Sequence, residues 1–114
     1  MPNEMTDSAR PPAEASAPLP DLILYGRDGC HLCDEAREIL GKLLEERSAD
    51  GRRVPRLVER DIRREPAWER AFSTTIPVVE LGERRLVLAT SPVRLRRLLD
   101  QGIPDEGIPE PAPS

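Results

Sequence analysis

The sequence has few cysteines and no long apolar run, and each absence excludes a class of protein. Its 114 residues include 2 cysteines, Cys30 and Cys33, which are too few and too close together to form the disulfide framework of a small secreted protein. No stretch approaches the roughly 20 apolar residues that a membrane span needs, and no basic start with an apolar run precedes Asp21. We therefore expect a cytoplasmic protein that does not cross a membrane.

Concentrated positive charge is also missing. The net charge is -4, and although the chain carries 17 basic residues, acidic residues are interleaved with them. This pattern argues against a nucleic-acid-binding surface. Arg94, Arg96 and Arg97 form one local basic cluster, for which a solvated helix face is the favoured interpretation. We expect a monomer with no nucleic-acid partner.

The two ends of the chain differ in composition from its middle. Residues 1–20 are crowded with Pro, Ala, Ser and acidic residues, and residues 102–114 are rich in Pro. Such segments bury too little apolar surface to offset the entropy lost on ordering them. We predict disordered tails over 1–20 and 102–114, and one folded domain over 21–101.

Four β-rich runs predict strands, and they are Leu22–Tyr25, Val54–Ile62, Ile76–Leu81 and Arg85–Ala89. A turn signal follows the first run, at Gly26 and Asp28-Gly29. The second run is polar and is expected at a sheet edge. Gly82-Glu83 joins the last two runs as a tight hairpin does.

Three segments have the apolar spacing of helices. The first begins at or just after Cys30, ends near Asp50-Gly51 and has one apolar face, formed by Leu32, Ala36, Ile39, Leu40, Leu43 and Leu44. The second begins at Pro66 and has Trp68, Ala71 and Phe72 on one face; for Trp68 and Phe72 a core position is favoured over a substrate surface. The third begins after Ser91-Pro92, ends at Gly102 and has an apolar side, formed by Val93, Leu95, Leu98 and Leu99.

These elements follow the order β-α-β-α-β-β-α. A right-handed crossover makes the first two strands parallel, and the hairpin supplies the antiparallel half of the sheet. The predicted fold class is therefore α/β, with a four-stranded mixed sheet, flanking helices and thioredoxin-like topology.

The paired cysteines lie where a strand gives way to a helix. Thiolate, rather than thiol, attacks disulfides, and the free N–H groups and dipole of a helix N-terminus stabilise it. In a Cys-x-x-Cys sequence that begins a helix, the first sulfur faces solvent and the second lies one turn inward. The pattern predicts that Cys30 attacks a disulfide and that Cys33 resolves the mixed disulfide.

Two other interpretations of the cysteines stay open at this point. One is half of a structural zinc site, although four ligands are needed and His31 is the only other strong candidate. The other is a pair of inert buried thiols, for which the polar surroundings Asp28-Gly29-Cys30-His31 are unfavourable. No metal is expected.

Two basic neighbours are candidates for tuning the cysteines or binding a substrate. A cationic His31 stabilises a thiolate on Cys30, and a merely exposed His at a helix start is the equal alternative. Arg27 can hold an anionic partner or lower the thiol pKa, against the alternative of a solvated Arg.

Two segments are informative together: Tyr25-Gly26-Arg27-Asp28-Gly29-Cys30-His31-Leu32-Cys33 and, further along the chain, Thr75-Ile76-Pro77-Val78-Val79. With these segments the chain resembles a glutaredoxin-like family, and the resemblance covers the predicted domain. It implies a cis-proline at Pro77 beside the cysteines, a Thr75-Ile76 main chain that pairs with an extended substrate, and a functional basic residue at Arg27. Two departures are visible. Cys-His-Leu-Cys replaces Cys-Pro-Tyr-Cys, and Leu88-Ala89-Thr90-Ser91-Pro92 stands where glutaredoxins carry Gly-Gly and acidic residues that hold glutathione.

The predicted function is that of a glutaredoxin-like thiol–disulfide oxidoreductase. Its expected partner is a disulfide-containing protein or a small thiol, and a thiol reductase or glutathione supplies electrons. No tightly bound cofactor is expected, and glutathione is a candidate co-substrate. The alternatives are a non-catalytic thioredoxin-fold interaction module or redox switch, and metal or iron–sulfur handling with ligands borrowed from a second chain or glutathione.

Overall fold

The computed structural model describes residues 19–103, and its elements follow the predicted order. The strands are β1 (Leu22–Gly26), β2 (Leu57–Asp61), β3 (Val78–Leu81) and β4 (Arg84–Leu86), and the helices are α1 (His31–Ala49), α2 (Pro66–Phe72) and α3 (Pro92–Gly102). A single-turn 3-10 helix over Ile62–Arg64, which the sequence did not predict, lies between β2 and α2. No helix within the described residues is long and apolar enough to cross a membrane.

The four strands form one mixed sheet in the order β2-β1-β3-β4. β1 pairs in parallel with β2, whereas β3 is antiparallel to both β1 and β4. The predicted topology is confirmed, with the polar strand β2 at an edge. Because β3 alone is antiparallel to the other strands, the segments that follow β1 and β4 lie at the same end of the sheet as the segment that precedes β3. We call this the Cys30 end.

Alternate residues of β1 point into two separate cores, as the period of a strand requires. Leu22 and Leu24 pack with α1 and α3 in a core that covers one face of the sheet. Tyr25 packs on the opposite face, in a second core with α2. There the centroid of the Tyr25 ring lies 4.7 Å from that of Phe72 and 5.6 Å from that of Trp68. The core interpretation is confirmed for Phe72, which is buried, and Trp68 is half-buried.

Some apolar residues that were expected on buried helix faces are exposed. Leu32 is 44% exposed and Val93 is 64% exposed. The buried stripe of α1 begins at Cys33 and continues through Ala36 and Leu40, so Leu32, one residue out of phase, points away from the sheet. Val93 lies in the first turn of α3, before the helix meets the core at Leu95. Ala71, which shares the predicted face of α2 with Trp68 and Phe72, is also exposed, although no core position was predicted for it.

Three of the predicted strands are shorter in the structure. Val54, Ile76 and Val87 all lie outside the sheet. Beyond β4 the chain turns towards the segment before β3, where the N–H of Leu88 donates to the Thr75 carbonyl at 2.9 Å and the N–H of Ala89 to the Pro77 carbonyl at 2.8 Å. These two bonds replace a continued ladder, so the predicted strand to Ala89 ends at Leu86.

The predicted disordered tails fall outside the described residues except at Leu19, Pro20, Gly102 and Ile103. Leu19 packs against the core that α1 and α3 form with the sheet. Gly102 ends α3, and Ile103 is fully buried in the same core. The folded unit therefore continues past Gln101, where the sequence placed its end.

Replacing Gly41 by alanine should stabilise the protein by about 0.5–1 kcal/mol, because alanine loses less conformational freedom than glycine in a helix interior. Gly41 lies within α1, and a Cβ built there meets no atom within 4 Å. Urea unfolding followed by circular dichroism measures the change. Gly51→Ala is the control, since its site is equally open but has a φ of 73°, so that variant should lose stability. A loss of stability in Gly41→Ala would contradict the environment described.

Candidate active site

A tight turn connects β1 to α1 and places Cys30 at the start of the helix. The N–H of Cys30 donates to the Arg27 carbonyl at 3.4 Å. Gly29, the third residue of this turn, has a φ of 80°, a conformation that glycine adopts without a steric penalty. Cys30 is consequently the N-cap of α1, the position from which a side chain reaches the free N–H groups of the first turn.

Cys30 and Cys33 are joined by a disulfide, with their Cα atoms 5.2 Å apart. Cys33 is 1% exposed, whereas Cys30 is half-buried. The N–H of Cys33 donates to Cys30 Sγ at 3.1 Å, and this donor, together with the helix dipole, stabilises negative charge on that sulfur when the bond is reduced. Cys33 is thus the inner of the two residues and Cys30 the more exposed one, and the role of each sulfur in exchange stays a prediction.

Gly26 packs directly against the inner cysteine. A Cβ built on Gly26 would lie 2.9 Å from Cys33 Sγ and 3.1 Å from Cys33 Cβ, so Cys33 would have to shift to make room for any side chain. From the sequence, Gly26 was only a turn signal, and its role depends on a contact with a residue on the next element. The sequence signal that could have indicated this contact is a glycine at the last position of an apolar strand, directly before the turn.

The segment Thr75-Ile76-Pro77 lies at the Cys30 end, and the Ile76–Pro77 peptide bond is cis, as the resemblance implied. Ile76 belongs to the core that contains Cys33, and Cys30 packs against that core. The N–H groups of Thr75 and Ile76 both donate to the Phe72 carbonyl, at 2.9 and 3.1 Å, and the Thr75 carbonyl accepts from Leu88. Of the four main-chain groups expected to pair with a substrate, only the Ile76 carbonyl has no hydrogen bond within residues 19–103.

The two basic candidates are both exposed at the edge of the site. The side chain of His31 is 85% exposed, and its Nε2 lies 3.3 Å from Glu35 Oε2 on the next turn of α1. Arg27 lines a cleft of about 430 Å³ that also reaches Cys33. The Arg27 guanidinium makes no hydrogen bond or ion pair within the part of the chain that the structure describes.

That cleft lies between α1, the ends of β1 and β2, and the 3-10 helix, and both signs of charge line it. Its charged residues are Arg27, Asp28, Arg37, Glu59, Arg60, Asp61 and Arg64. The Arg37 guanidinium bonds both Asp34 and Glu59 at 2.8 Å, and these bonds raise the pKa of Arg37. Arg60 donates to the Tyr25 hydroxyl at 3.2 Å and lies over the Trp68 ring. The cleft is therefore lined by four cationic and three anionic side chains, and among these cations Arg37 is already ion-paired.

Asp61 begins the 3-10 helix at the rim of this cleft. Its carboxylate accepts from the Arg63 guanidinium at 2.8 and 3.1 Å and from the Arg63 N–H at 2.9 Å. The guanidinium bonds, followed by the N–H bond, lower the pKa of Asp61 to about 2.

Replacing Asp61 by asparagine should lower stability at neutral pH and change little near pH 2. The folded pKa of about 2 is below the unfolded value of about 3.9, so the unfolded chain binds the proton first as pH falls. The contribution of the carboxylate is complete above about pH 4 and is lost towards about pH 2. Urea midpoints of both proteins across this range test the prediction. Asparagine still accepts the bond from the Arg63 N–H. If the wild-type and Asp61→Asn proteins have parallel profiles of stability against pH, the prediction is contradicted.

No group of three or more His, Cys, Asp or Glu side chains within residues 19–103 is arranged to hold a metal ion. The geometry instead defines a class: a thioredoxin-like domain with a disulfide-forming Cys-x-x-Cys pair at the start of α1 and a cis-proline segment beside it.

Comparison with known proteins identifies the family within this class. Residues 21–101 match the family model described as Glutaredoxin-like domain (DUF836), and the chain belongs to this glutaredoxin-like family. A similar solved structure is the X-ray structure of the structural genomics target protein XcR50 from X. campestris, with 33% sequence identity and a TM-score of 0.56 over 70% of this chain and 96% of that one. None of the curated proteins matches the chain.

Proposed function

We propose that the protein is a glutaredoxin-like thiol–disulfide oxidoreductase. One observation carries the proposal: an accessible sulfur, Cys30 Sγ, accepts the N–H of Cys33 at a helix N-terminus, while the buried sulfur of Cys33 is already bonded to it. A sulfur in this position is favoured as the thiolate, and its partner is within reach to close a ring.

The reaction has two exchange steps. The Cys30 thiolate attacks one sulfur of a substrate disulfide, so that a bond forms between Cys30 and that sulfur while the other substrate sulfur leaves as a thiolate. Cys33 then loses its proton and attacks Cys30 Sγ, which expels the second substrate thiolate and forms the Cys30–Cys33 disulfide. Two electrons pass from the protein dithiol to the substrate, and the two substrate thiolates take up protons from solvent.

Regeneration of the dithiol requires two electrons from an external donor, and a thiol reductase or a small thiol such as glutathione supplies them. The chemistry needs no metal and no tightly bound cofactor, because both reacting sulfurs belong to the chain. A dithiol reductant works where thiols are kept reduced, as in the cytoplasm, and this is the location we propose.

The experiment that tests the proposal is a redox equilibrium of the full chain in glutathione buffers of varied ratio, with alkylation and mass spectrometry to count free thiols. We expect both thiols to disappear together as the buffer becomes oxidising, in a two-electron transition in which the dithiol-to-disulfide ratio changes tenfold for every 30 mV or so. Turnover of a peptide disulfide by the same preparation should follow. Reversible oxidation without turnover would favour a redox switch. Thiols that form no disulfide at any glutathione ratio would overturn both the oxidoreductase and the redox-switch interpretations.

A further inference from the structure

Exposed apolar side chains are concentrated at the Cys30 end. Within residues 19–103 five large apolar residues are exposed, and they are Leu32 (44%), Val54 (41%), Val87 (43%), Leu88 (53%) and Val93 (64%). Val54 precedes β2 and lies at the opposite end of the sheet. The other four follow β1, follow β4 or begin α3, so the topology brings them to the end where Cys30 lies. Apolar surface gathered around one site is typical of a binding surface.

Leu88 has the least favourable backbone of this group. Its φ is 50°, in the left-handed region that favours glycine and is unfavourable for a branched side chain. Three short hydrogen bonds hold it there: Leu88 N–H to the Thr75 carbonyl at 2.9 Å, Ala89 N–H to the Pro77 carbonyl at 2.8 Å, and Thr90 N–H to the Leu88 carbonyl at 2.8 Å. A strained residue held by its surroundings at a candidate active site is a recurrent sign of function.

These bonds attach Leu88 to the segment that faces the cysteines. Thr75 and Pro77 flank Ile76, which packs in the core shared with Cys30 and Cys33. The Ile76 carbonyl is the main-chain acceptor left open there, and a substrate main chain can donate to it. Ile76 is thus connected to Cys30 through this core and to Leu88 through the bonds of its two neighbours, and a peptide bound at its carbonyl would be close to both.

The segment around Leu88 has no charged side chain with which a charged small thiol could pair. Residues 87–93, Val-Leu-Ala-Thr-Ser-Pro-Val, contain no ionisable side chain, and the Ser91 hydroxyl already accepts the Arg94 N–H at 3.2 Å. Glutathione carries two carboxylates and an ammonium, whose desolvation against an apolar surface is unfavourable. An apolar side chain of a polypeptide gains from the same contact.

We infer that Leu88 determines specificity: the site takes a polypeptide disulfide with an apolar side chain next to its cysteine, in preference to glutathione disulfide. The inference rests on the proposed function and names its substrate class. Leu88 contacts the substrate and takes no part in the exchange of sulfur bonds.

The test compares three disulfides as oxidants of the fully reduced full-length protein. They are the symmetrical disulfides of two end-blocked peptides, Ser-Cys-Leu and Ser-Cys-Ser, and glutathione disulfide. Rate constants come from acid quenching, alkylation and mass spectrometry, and each is divided by the rate constant of dithiothreitol with the same disulfide to remove differences in intrinsic reactivity. We expect the leucine peptide to react about tenfold faster than the other two after this correction.

Variants separate the side chain from the backbone. Leu88→Ser removes the apolar contact, and Leu88→Gly removes the contact together with the strain, so both should abolish the preference for the leucine peptide over the serine peptide. Val54→Ser is the matched control, because it removes a similarly exposed apolar side chain at the far end of the sheet and should keep the preference. Circular dichroism and unfolding midpoints check the fold of each variant. If Leu88→Ser does not fold, the result for Leu88→Gly is the one that tests the inference.

The outcomes distinguish this inference from the function on which it rests. Three results would overturn the inference and leave the oxidoreductase in place. They are equal corrected rates for the three disulfides, a preference for glutathione disulfide, and a leucine preference that persists in Leu88→Gly. No reaction with any of the three disulfides overturns both.

Discussion

Replacing Cys33 by serine should trap the protein as a mixed disulfide on Cys30, and replacing Cys30 by serine should lower the rate of exchange by a factor on the order of 1,000 or more. Loss of a nucleophile removes the whole covalent route, so the effect is among the largest a single substitution produces. The asymmetry follows from the structure, because Cys30 is the accessible sulfur and Cys33 is 1% exposed.

The measurement is mass spectrometry of each variant after incubation with a peptide disulfide, with the rate followed by quenched alkylation. Serine preserves the size of the side chain and lacks the reactive sulfur, so the comparison isolates the chemistry. Unfolding midpoints under reducing conditions serve as the control for folding. A mixed disulfide on Cys33 in the Cys30→Ser protein, formed as fast as in the wild type, would contradict the assignment of the attacking sulfur.

Replacing Gly26 by alanine should destabilise the disulfide form by about 1–3 kcal/mol, the usual cost of forcing extra volume into a packed core. The added Cβ would lie 2.9 Å from Cys33 Sγ. In the disulfide form this sulfur is tied to Cys30 and has no room to move away. In the dithiol form Cys33 is free to change its side-chain rotamer, so the reduced protein should lose less stability and the variant disulfide should be easier to reduce.

Urea unfolding of the oxidised and reduced proteins, together with equilibrium in glutathione buffers, measures both parts of this prediction. Gly41→Ala is the matched control, because the same substitution at an open helix position should not change the redox equilibrium. An equal loss of stability in the two redox states of Gly26→Ala would show that the contact with Cys33 Sγ does not distinguish them.

The order and pairing of the elements were predictable because they depend on local patterns. The apolar run before Gly26, the Asp28-Gly29 turn, the Gly82-Glu83 hairpin and the Ser91-Pro92 helix start each determine their own segment. The Ser91 hydroxyl does accept the Arg94 N–H, and a right-handed crossover leaves few ways of assembling these segments.

Element ends and helix phase were predicted less well, since neighbours on other elements decide them. The apolar spacing of α1 includes Leu32, although this residue is 44% exposed. The helix instead buries a stripe that begins at Cys33, whose sulfur meets Gly26 on β1. Similarly, β4 ends at Leu86 because the N–H groups of Leu88 and Ala89 donate to the carbonyls of Thr75 and Pro77 and do not continue the ladder of the sheet.

The proline segment beside the candidate site came from the family resemblance, whereas the sequence by itself predicted that the two paired cysteines react and that Cys30 comes first at the helix N-terminus. Spacing of two residues at a strand-to-helix junction carries this information, because the geometry of a helix start is local. Only the tertiary structure decided that Gly26 must lack a side chain, that the Ile76 carbonyl is the open acceptor, and that Leu88 is held at a positive φ beside it. Each of these depends on contacts between residues on different elements, and the positions of such residues relative to one another exist only once the sheet has formed.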